Sequence, residues 1–396
     1  MAAAIPVYLP EGVSGKETVK LLHVYKDFDP PVKGGIEGHI ALMCRYQRSW
    51  AEVEALVCGG SLFRTVREER NGIPVTAAAE WGRLMGAPVA PGFPRLIRRA
   101  GADVVMAHSP NPTGEIGCLL AGVMARTVVR YHSDVVRQAS AMRLYGPMFR
   151  AFLRRAAVIL PTSRVYMETS PWLEPFRDRC VVVPLGIETE AFDRPDPERV
   201  AALRRAYGEP FVLFAGRHRY YKGLPVLVRA AARIPATVVV AGNGPERDRT
   251  MALAESLGLK NLRFPGALSQ EDLVAHYHAC AVVAFPSVAR SEAFGLTILE
   301  AHACGRPVVA TRLGTGVEWA NLDGVTGLNV PPGDPDALAE AVNRLLGDAD
   351  LRERLGSAGR TRVRAEFHAS RAARMEYAAC RAVAEGRFPT DEDLAV

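Results

Sequence analysis

One repeated spacing narrows the fold more than any other feature. Short apolar, β-branched runs recur along the chain, and most are followed by enough residues for one helix. In the first half they fall at residues 19–25 (VKLLHVY), 55–58, 104–107, 127–131, 157–160 and 181–183. Continuous apolar runs of this length suit strands buried on both faces, and strand–helix alternation builds a parallel sheet. A polar stretch at 188–210, carrying Pro195, Pro197 and Pro210, interrupts the pattern. It then restarts with runs at 211–215, 237–241, 262–264, 282–285 and 308–310. A chain of 396 residues also exceeds what one hydrophobic core usually serves. The expectation is two doubly wound α/β domains in series. Residues 1–190 form the first, 191–210 a linker and 211–368 the second. A last helix in 369–396, with no strand after it, packs back on the first domain. Ligands of open α/β sheets bind beyond the carboxyl ends of the strands, so two such sheets facing each other would line a cleft.

Composition removes several classes. Apolar residues are 48% and charged residues 23%, as in ordinary folded domains. No run of about 18 apolar residues offers a membrane span, and the first residues lack the pattern of a signal peptide. A cytoplasmic protein is expected. The seven cysteines are scattered and include no CxxC pair, which points to reduced thiols rather than disulfides or a metal site. No other metal-ligating motif stands in a suitable place, so neither metal nor cofactor is expected. Of the net charge of +6, most lies in residues 1–190, with 23 Lys and Arg against 18 Asp and Glu. That surplus suits an anionic partner, whether a phosphorylated substrate, a membrane surface or nucleic acid. Nucleic acid is disfavoured because no stretch interleaves aromatic with basic residues. A membrane contact rests on residues 147–155 (PMFRAFLRR). They read as a short helix after Pro147, with Met148, Phe149, Phe152 and Leu153 on one side and Arg150, Arg154 and Arg155 on the other. The alternative reading is a core-facing helix with a solvated basic face.

Five clusters carry candidate chemistry. Gly34-Gly35 follows the first strand and opens a helix, where bare backbone and free N–H groups suit a phosphate. The P-loop-like run at 12–18 has the wrong spacing and precedes the strand, so it is set aside. At 211–223 a strand ends in Gly216, followed by Arg217 and, five residues later, Lys222. Two cations at one strand end suit a diphosphate that gains charge as it leaves. At 285–300 a strand leads to Glu292, then to a helix expected from near Phe294 that carries Glu300. Eight residues of helix would span about 12 Å, the reach from a sugar past a diphosphate to a ribose. The amides of Phe294, Gly295 and Leu296 would meet phosphate between the two carboxylates. His132, in Tyr131-His132-Ser133-Asp134 after another buried strand, could bond a sugar hydroxyl. Gly242-Asn243-Gly244-Pro245 closes a strand with tight backbone that could hold a base or ribose. His276 and His278, two residues apart on a helix, share no face and are read as structural.

These residues together resemble the family 4 retaining glycosyltransferases. The Gly-Gly loop, the Gly-Arg-x4-Lys stretch and the Glu-x7-Glu pair occur here in order, and the 131–134, 183–187 and 242–245 segments also match. The likeness covers nearly the whole chain. It implies the GT-B fold of two Rossmann-like domains, and transfer of a hexose-type sugar from a UDP- or GDP-linked donor without a metal. The acceptor would be a hydroxyl of a glycan, a lipid-linked acceptor or a small natural product. Arg217 and Lys222 would hold the diphosphate, with Gly35 at its distal phosphate. Glu292 would contact the donor sugar, Glu300 the ribose, and His132 would line the sugar site. Asn243, Gly244 and the 265–268 turn with Pro265, Gly266 and Leu268 would lie near the base, and Asp134 on the acceptor side. Leu185-Gly186 stands where many members have Asn-Gly. Two rival readings share the nucleotide: a nucleotide-sugar epimerase of the same fold, and a non-catalytic nucleotide-binding protein. Incubation with donor alone separates the first rival from a transferase.

Overall fold

The computed structural model describes residues 18–84, 86–135 and 139–395. The set-aside run at 12–18 lies almost wholly outside them. The chain forms two compact units. One is built from residues 1–161, 171–183 and 370–396, the other from 162–170 and 184–369.

Among the described residues nine strands belong to the first unit: β1 (Lys20–Val24), β2 (Glu52–Cys58), β3 (Val66–Arg70), β4 (Ile73–Ala78), β5 (Arg83–Leu84), β6 (Ala87–Pro88), β7 (Val104–Ser109), β8 (Thr127–Tyr131) and β9 (Val158–Pro161). Seven of them form one sheet in the order β3-β4-β2-β1-β7-β8-β9. All its pairings are parallel except β3 with β4. The β3–β4 hairpin was not expected. Its signal is Asn71-Gly72, both with positive φ (51° and 78°), the dipeptide that a tight primed turn demands. Residues 181–183 form no strand, although the N–H groups of Val181 and Val183 bond Ile159 O and Pro161 O.

Side chains alternate across this sheet. Val53, Ala55, Val57, Val104, Met106, Val158 and Leu160 share a core with Ile40 and Cys44 of the helix Gly35–Gln47 and with Ala379, Cys380 and Val383 of the helix Ala369–Ala384. The last long helix therefore packs on the first unit. The segment at 147–155 lies inside a longer helix, Ala139–Arg155, with Pro147 in its interior. Phe149, Phe152 and Leu153 are buried, and Arg150 lies over the Trp172 ring at 5.2 Å. The apolar side that a membrane contact would need is the side that packs into the core, as the core-facing reading has it.

The second unit holds β10 (Val212–Ala215), β11 (Val238–Ala241), β12 (Leu262–Gly266), β13 (Val282–Phe285), β14 (Val308–Thr311) and β15 (Gly327–Val330). The sheet is wholly parallel in the order β12-β11-β10-β13-β14-β15. In both units the chain runs outward from a central strand to one edge, then returns to its other side. The order reverses between β1 and β7, and between β10 and β13. At such a switch point adjacent strands send their loops to opposite faces, which leaves a crevice for a ligand. The stretch expected as a linker is largely ordered, with a helix at Pro197–Tyr207 capped by Asp196. Asp196 accepts from the Glu198 and Arg199 amides, so Pro197 starts a helix rather than prolonging an extended segment. All seven cysteines are free. No helix of the described residues is long and apolar enough to cross a membrane.

Candidate functional site

In the second unit the site grows from the loops at the β10/β13 switch point. Gly216 ends β10 with φ 153°, and a 3-10 turn at Tyr220–Lys222 follows, closed by Gly223 in the left-handed region. A Cβ on Gly223 would lie 1.8 Å from Pro286 O, so only glycine lets this turn press on the loop after β13. Val288 N donates to Tyr221 O at 2.7 Å across the same junction. The result brings Lys222 to Glu292. Their Nζ and Oε2 are 2.5 Å apart and both side chains are buried. Ser287 Oγ donates to the same Oε2 at 2.9 Å, and the ammonium lies 4.8 Å from the centre of the Phe285 ring. Burial alone would lower the Lys222 pKa, but the Glu292 charge outweighs it and the ammonium is held above its ordinary range.

The helix carrying Glu300 is Leu296–Ala303, starting two residues later than expected and capped by Gly295 at φ 88°. Residues 292–295 are therefore not helical, and the separation of the two carboxylates is not eight helical rises. A side chain at Gly295 would meet the Phe285 ring at 2.9 Å, so the helix N-terminus sits tight against the end of β13. Its first amides have no partner within the helix. Glu300 Oε2 accepts from Tyr277 OH at 2.7 Å. Burial raises the Glu300 pKa, opposed by that hydroxyl and by Lys222.

The glycine turns after β10, β11 and β12 stack side by side. Gly216 N donates to Ala241 O at 3.1 Å, His218 N to Asn243 O at 2.9 Å and Gly242 N to Gly266 O at 2.7 Å. A Cβ on Gly242 would fall 1.9 Å from Gly216 O, and one on Gly244 2.5 Å from His218 O. Backbone packing thus dictates these two glycines, whatever else they do. Arg217 is exposed at the strand end, Pro265 lies within β12, and Leu268 packs against the core. His276 and His278 bond the carbonyls of Asp272 and Phe192 at 2.6 and 2.7 Å. Among the described residues no group of three or more His, Cys, Asp or Glu could hold a metal ion.

In the first unit Gly34 caps the helix Gly35–Gln47, and a Cβ on Gly35 would meet nothing within 4 Å. Packing does not require glycine at 35; what its absent side chain leaves is an open approach to the helix N-terminus. His132 is 5% exposed, just beyond β8. Asp134 accepts from Tyr131 OH at 2.8 Å and is buried. The sequence reading passed over the groups behind His132. His23, His108, Gln47, Arg130 and Glu376 are all buried. Arg130 Nε stands 2.8 Å from Glu376 Oε1, and its NH1 donates to Leu160 O and Val183 O. The overlooked signal was a polar residue within or directly after each of three apolar strand runs: His23, Arg130 and His108.

This cluster makes the first unit acid-sensitive. Burial pushes His23 down to about 4 from its ordinary 6.5, so the unfolded chain binds that proton more tightly. The stability it contributes is complete above pH 6.5 and lost as pH falls toward 4. Burial opposes the Glu376 charge, but Arg130 and His39 outweigh it and hold the carboxyl at about 2 against 4.5. That contribution is complete above pH 4.5 and lost toward 2. Each is worth on the order of 3 kcal/mol. The guanidinium unfolding midpoint should fall between pH 7.5 and pH 5 as His23 is lost, and further below pH 4.5. A midpoint flat from pH 7.5 to 5 would contradict this.

The chain is similar to known proteins over most of its length. Residues 196–362 match the family model described as glycosyl transferases group 1, and residues 34–186 match the glycosyl transferase 4-like domain. O-antigen chain mannosyltransferase C of Escherichia coli is 36% identical over 362 residues, covering 89% of this chain and 95% of that protein. D-rhamnosyltransferase WbpZ of Pseudomonas aeruginosa is 33% identical, covering 89% and 93%. The GDP-mannose-dependent alpha-(1-6)-phosphatidylinositol monomannoside mannosyltransferase of Mycolicibacterium smegmatis is 31% identical, covering 86% and 92%. Among solved structures, sucrose-phosphate synthase from Thermosynechococcus elongatus superposes with a TM-score of 0.76 at 24% identity, covering 90% of this chain and 96% of that one. Anabaena HepE in complex with UDP gives 0.72 at 21%, covering 91% and 98%.

Proposed function

Because the chain belongs to the glycosyl transferases group 1 family, we propose that it is a retaining, metal-independent hexosyltransferase. The donor we infer is a GDP-linked sugar of manno configuration, and the acceptor a hydroxyl of a glycan or lipid-linked glycan. The observation that carries the reading is the Lys222–Glu292 pair at the switch point, one cation and one carboxylate buried together beside a helix N-terminus. The donor class is supported by the relatives. Two are named mannosyltransferases and one a D-rhamnosyltransferase, and D-rhamnose is mannose lacking the 6-hydroxyl.

In this reading Lys222 and Arg217 neutralise the leaving diphosphate, and the amides of Phe294, Gly295 and Leu296 supply further positive potential. Glu292 accepts from donor-sugar hydroxyls and Glu300 from the ribose. A donor phosphate competes with Glu292 for the Lys222 ammonium, which frees carboxylate lone pairs for the sugar as the diphosphate arrives. The family resemblance further assigns Gly35 to the distal phosphate and His132 to the sugar. Asn243, Gly244, Pro265, Gly266 and Leu268 border the base. With the leaving phosphate taking the acceptor proton, no separate protein base is needed. A cytoplasmic site of action, at most peripheral to a membrane, fits this chemistry.

The test is transfer from GDP-mannose, with UDP- and dTDP-sugars as controls, and the anomeric configuration of the product read by NMR. Product of inverted configuration would overturn the retaining assignment. Chelation with EDTA is expected to leave the rate unchanged, because the cations at the β10 end take the place of a metal on the leaving group. Loss of transfer in EDTA, restored by magnesium or manganese, would refute that assignment.

A further inference from the structure

Behind His132 lies a continuous chain of side chains. Nε2 of His132 is 2.9 Å from Nδ1 of His108. Nε2 of His108 is 3.0 Å from Nδ1 of His23. Nε2 of His23 is 2.8 Å from Oε1 of Gln47, whose Nε2 faces Glu376 Oε2 at 3.4 Å. The rings lie nearly parallel, with interplanar angles of 19° and 21°.

The direction of every proton follows from the far end. Glu376 is ionised, held by Arg130 and His39, and an ionised carboxylate can only accept. The Gln47 amide must therefore turn its NH2 to Glu376, which leaves its oxygen toward His23. An oxygen accepts, so His23 carries its proton on Nε2 and its Nδ1 is bare. That bare nitrogen requires a proton on Nε2 of His108, and the same step repeats at His132. A neutral imidazole donates from one nitrogen and accepts at the other, so each ring passes the polarity to the next. Burial, together with the positive charge of Arg130 and the neighbouring His39, holds His108 and His132 well below their ordinary range, and the rings stay neutral.

We propose that this relay locks His132 in the Nε2–H tautomer, presenting a bare Nδ1 as a hydrogen-bond acceptor for a sugar hydroxyl. His108, His23, Gln47 and Glu376 are then positioning residues. Glu376 belongs to the helix Ala369–Ala384, so the last long helix of the chain sets the polarity of a site residue on β8's loop. This rests on the reading of His132 as a sugar-site residue. Nothing in a single histidine's position tells donor from acceptor; the carboxylate at the far end of the relay does.

The test reads tautomer and rate separately. In protein labelled with 15N-histidine, long-range 1H–15N spectra, assigned by loss of signals in His132→Gln, should show a protonated Nε2 and a bare Nδ1 at His132. A proton on Nδ1 in the wild type overturns the relay. In Gln47→Lys an ammonium would donate to His23 Nε2 and pair with Glu376, reversing every bond. His132 should switch to Nδ1–H, with kcat/KM for transfer falling about tenfold, the scale of one lost hydrogen bond. Gln47→Glu, sharing a proton with Glu376, keeps an oxygen toward His23 and should retain both tautomer and rate. If Gln47→Lys does not fold, His108→Phe cuts the relay while keeping a ring, and His132 should become a tautomer mixture with a similar loss of rate. A tautomer switch with unchanged kcat/KM would overturn the link to function. An unaltered rate in His132→Gln would instead remove His132 from the sugar site while leaving the measured tautomer standing.

Discussion

Lys222→Ala and Glu292→Gln are each expected to lower the turnover number by about 100-fold or more, the scale of a contact made chiefly in the transition state. The two groups meet at 2.5 Å in the second unit, both of them buried. Lys222 is also fixed over the Phe285 ring, and Glu292 by Ser287. In the proposed reaction a cation so confined would not be replaced by solvent as the diphosphate leaves. Thermal unfolding must be measured beside the rate, because removing one partner of a buried pair also costs stability, about 3–5 kcal/mol in fully buried cases. Glu292→Gln keeps the shape and a hydrogen bond from Ser287, so its fold should survive better than that of Lys222→Ala. Glu300→Gln serves as the internal contrast. Its carboxylate is half-buried and bonded to Tyr277, and a ribose contact is alike in ground and transition states. It should raise the donor KM and leave the turnover number within a few-fold. Equal losses of turnover from the Glu292 and Glu300 changes would contradict this division of roles.

Glu376→Ala should be the most destabilising single change in the first unit, by about 3–5 kcal/mol. The carboxylate is fully buried and answers Arg130, His39 and Gln47 at once. Deleting it leaves the Arg130 guanidinium buried without its counter-charge, although two of its hydrogen bonds to carbonyls remain. The urea midpoint should fall sharply, and the loss should shrink in Arg130→Met/Glu376→Leu, which removes both charges and fills the space. If the single change costs less than about 1 kcal/mol, below the range for a broken buried ion pair, the pair is not buried as described.

Much of this architecture could be read in the chain before any coordinates. The runs at 127–131 and 282–285 became β8 and β13 with those bounds, because a strand buried on both faces is largely apolar. The Glu-x7-Glu and Gly-Arg-x4-Lys pairs marked residues that the structure brings to one switch point. β3, β4, β5, β6 and β15 escaped notice. Val66–Arg70 is a polar edge strand, and Gly327–Val330 opens on glycine and carries Asn329, so neither is a continuous apolar run. The stretch read as a linker holds a helix that was not expected there, because after Asp196 a proline opens a helix rather than breaking one.

The sequence by itself determined the number and kind of layers, the places where glycine lets backbone approach backbone, and the residue types that gather at the strand ends. These depend on near neighbours and on periodicity. Only the tertiary structure decided which charges pair. Lys222 meets Glu292 across a separation of 70 residues, and His39 meets Glu376 across 337. Such pairings depend on strand order and on where the last long helix docks. Hydrogen-bond polarity is likewise passed through space from group to group, so the acceptor face of His132 is set from the far end of the chain.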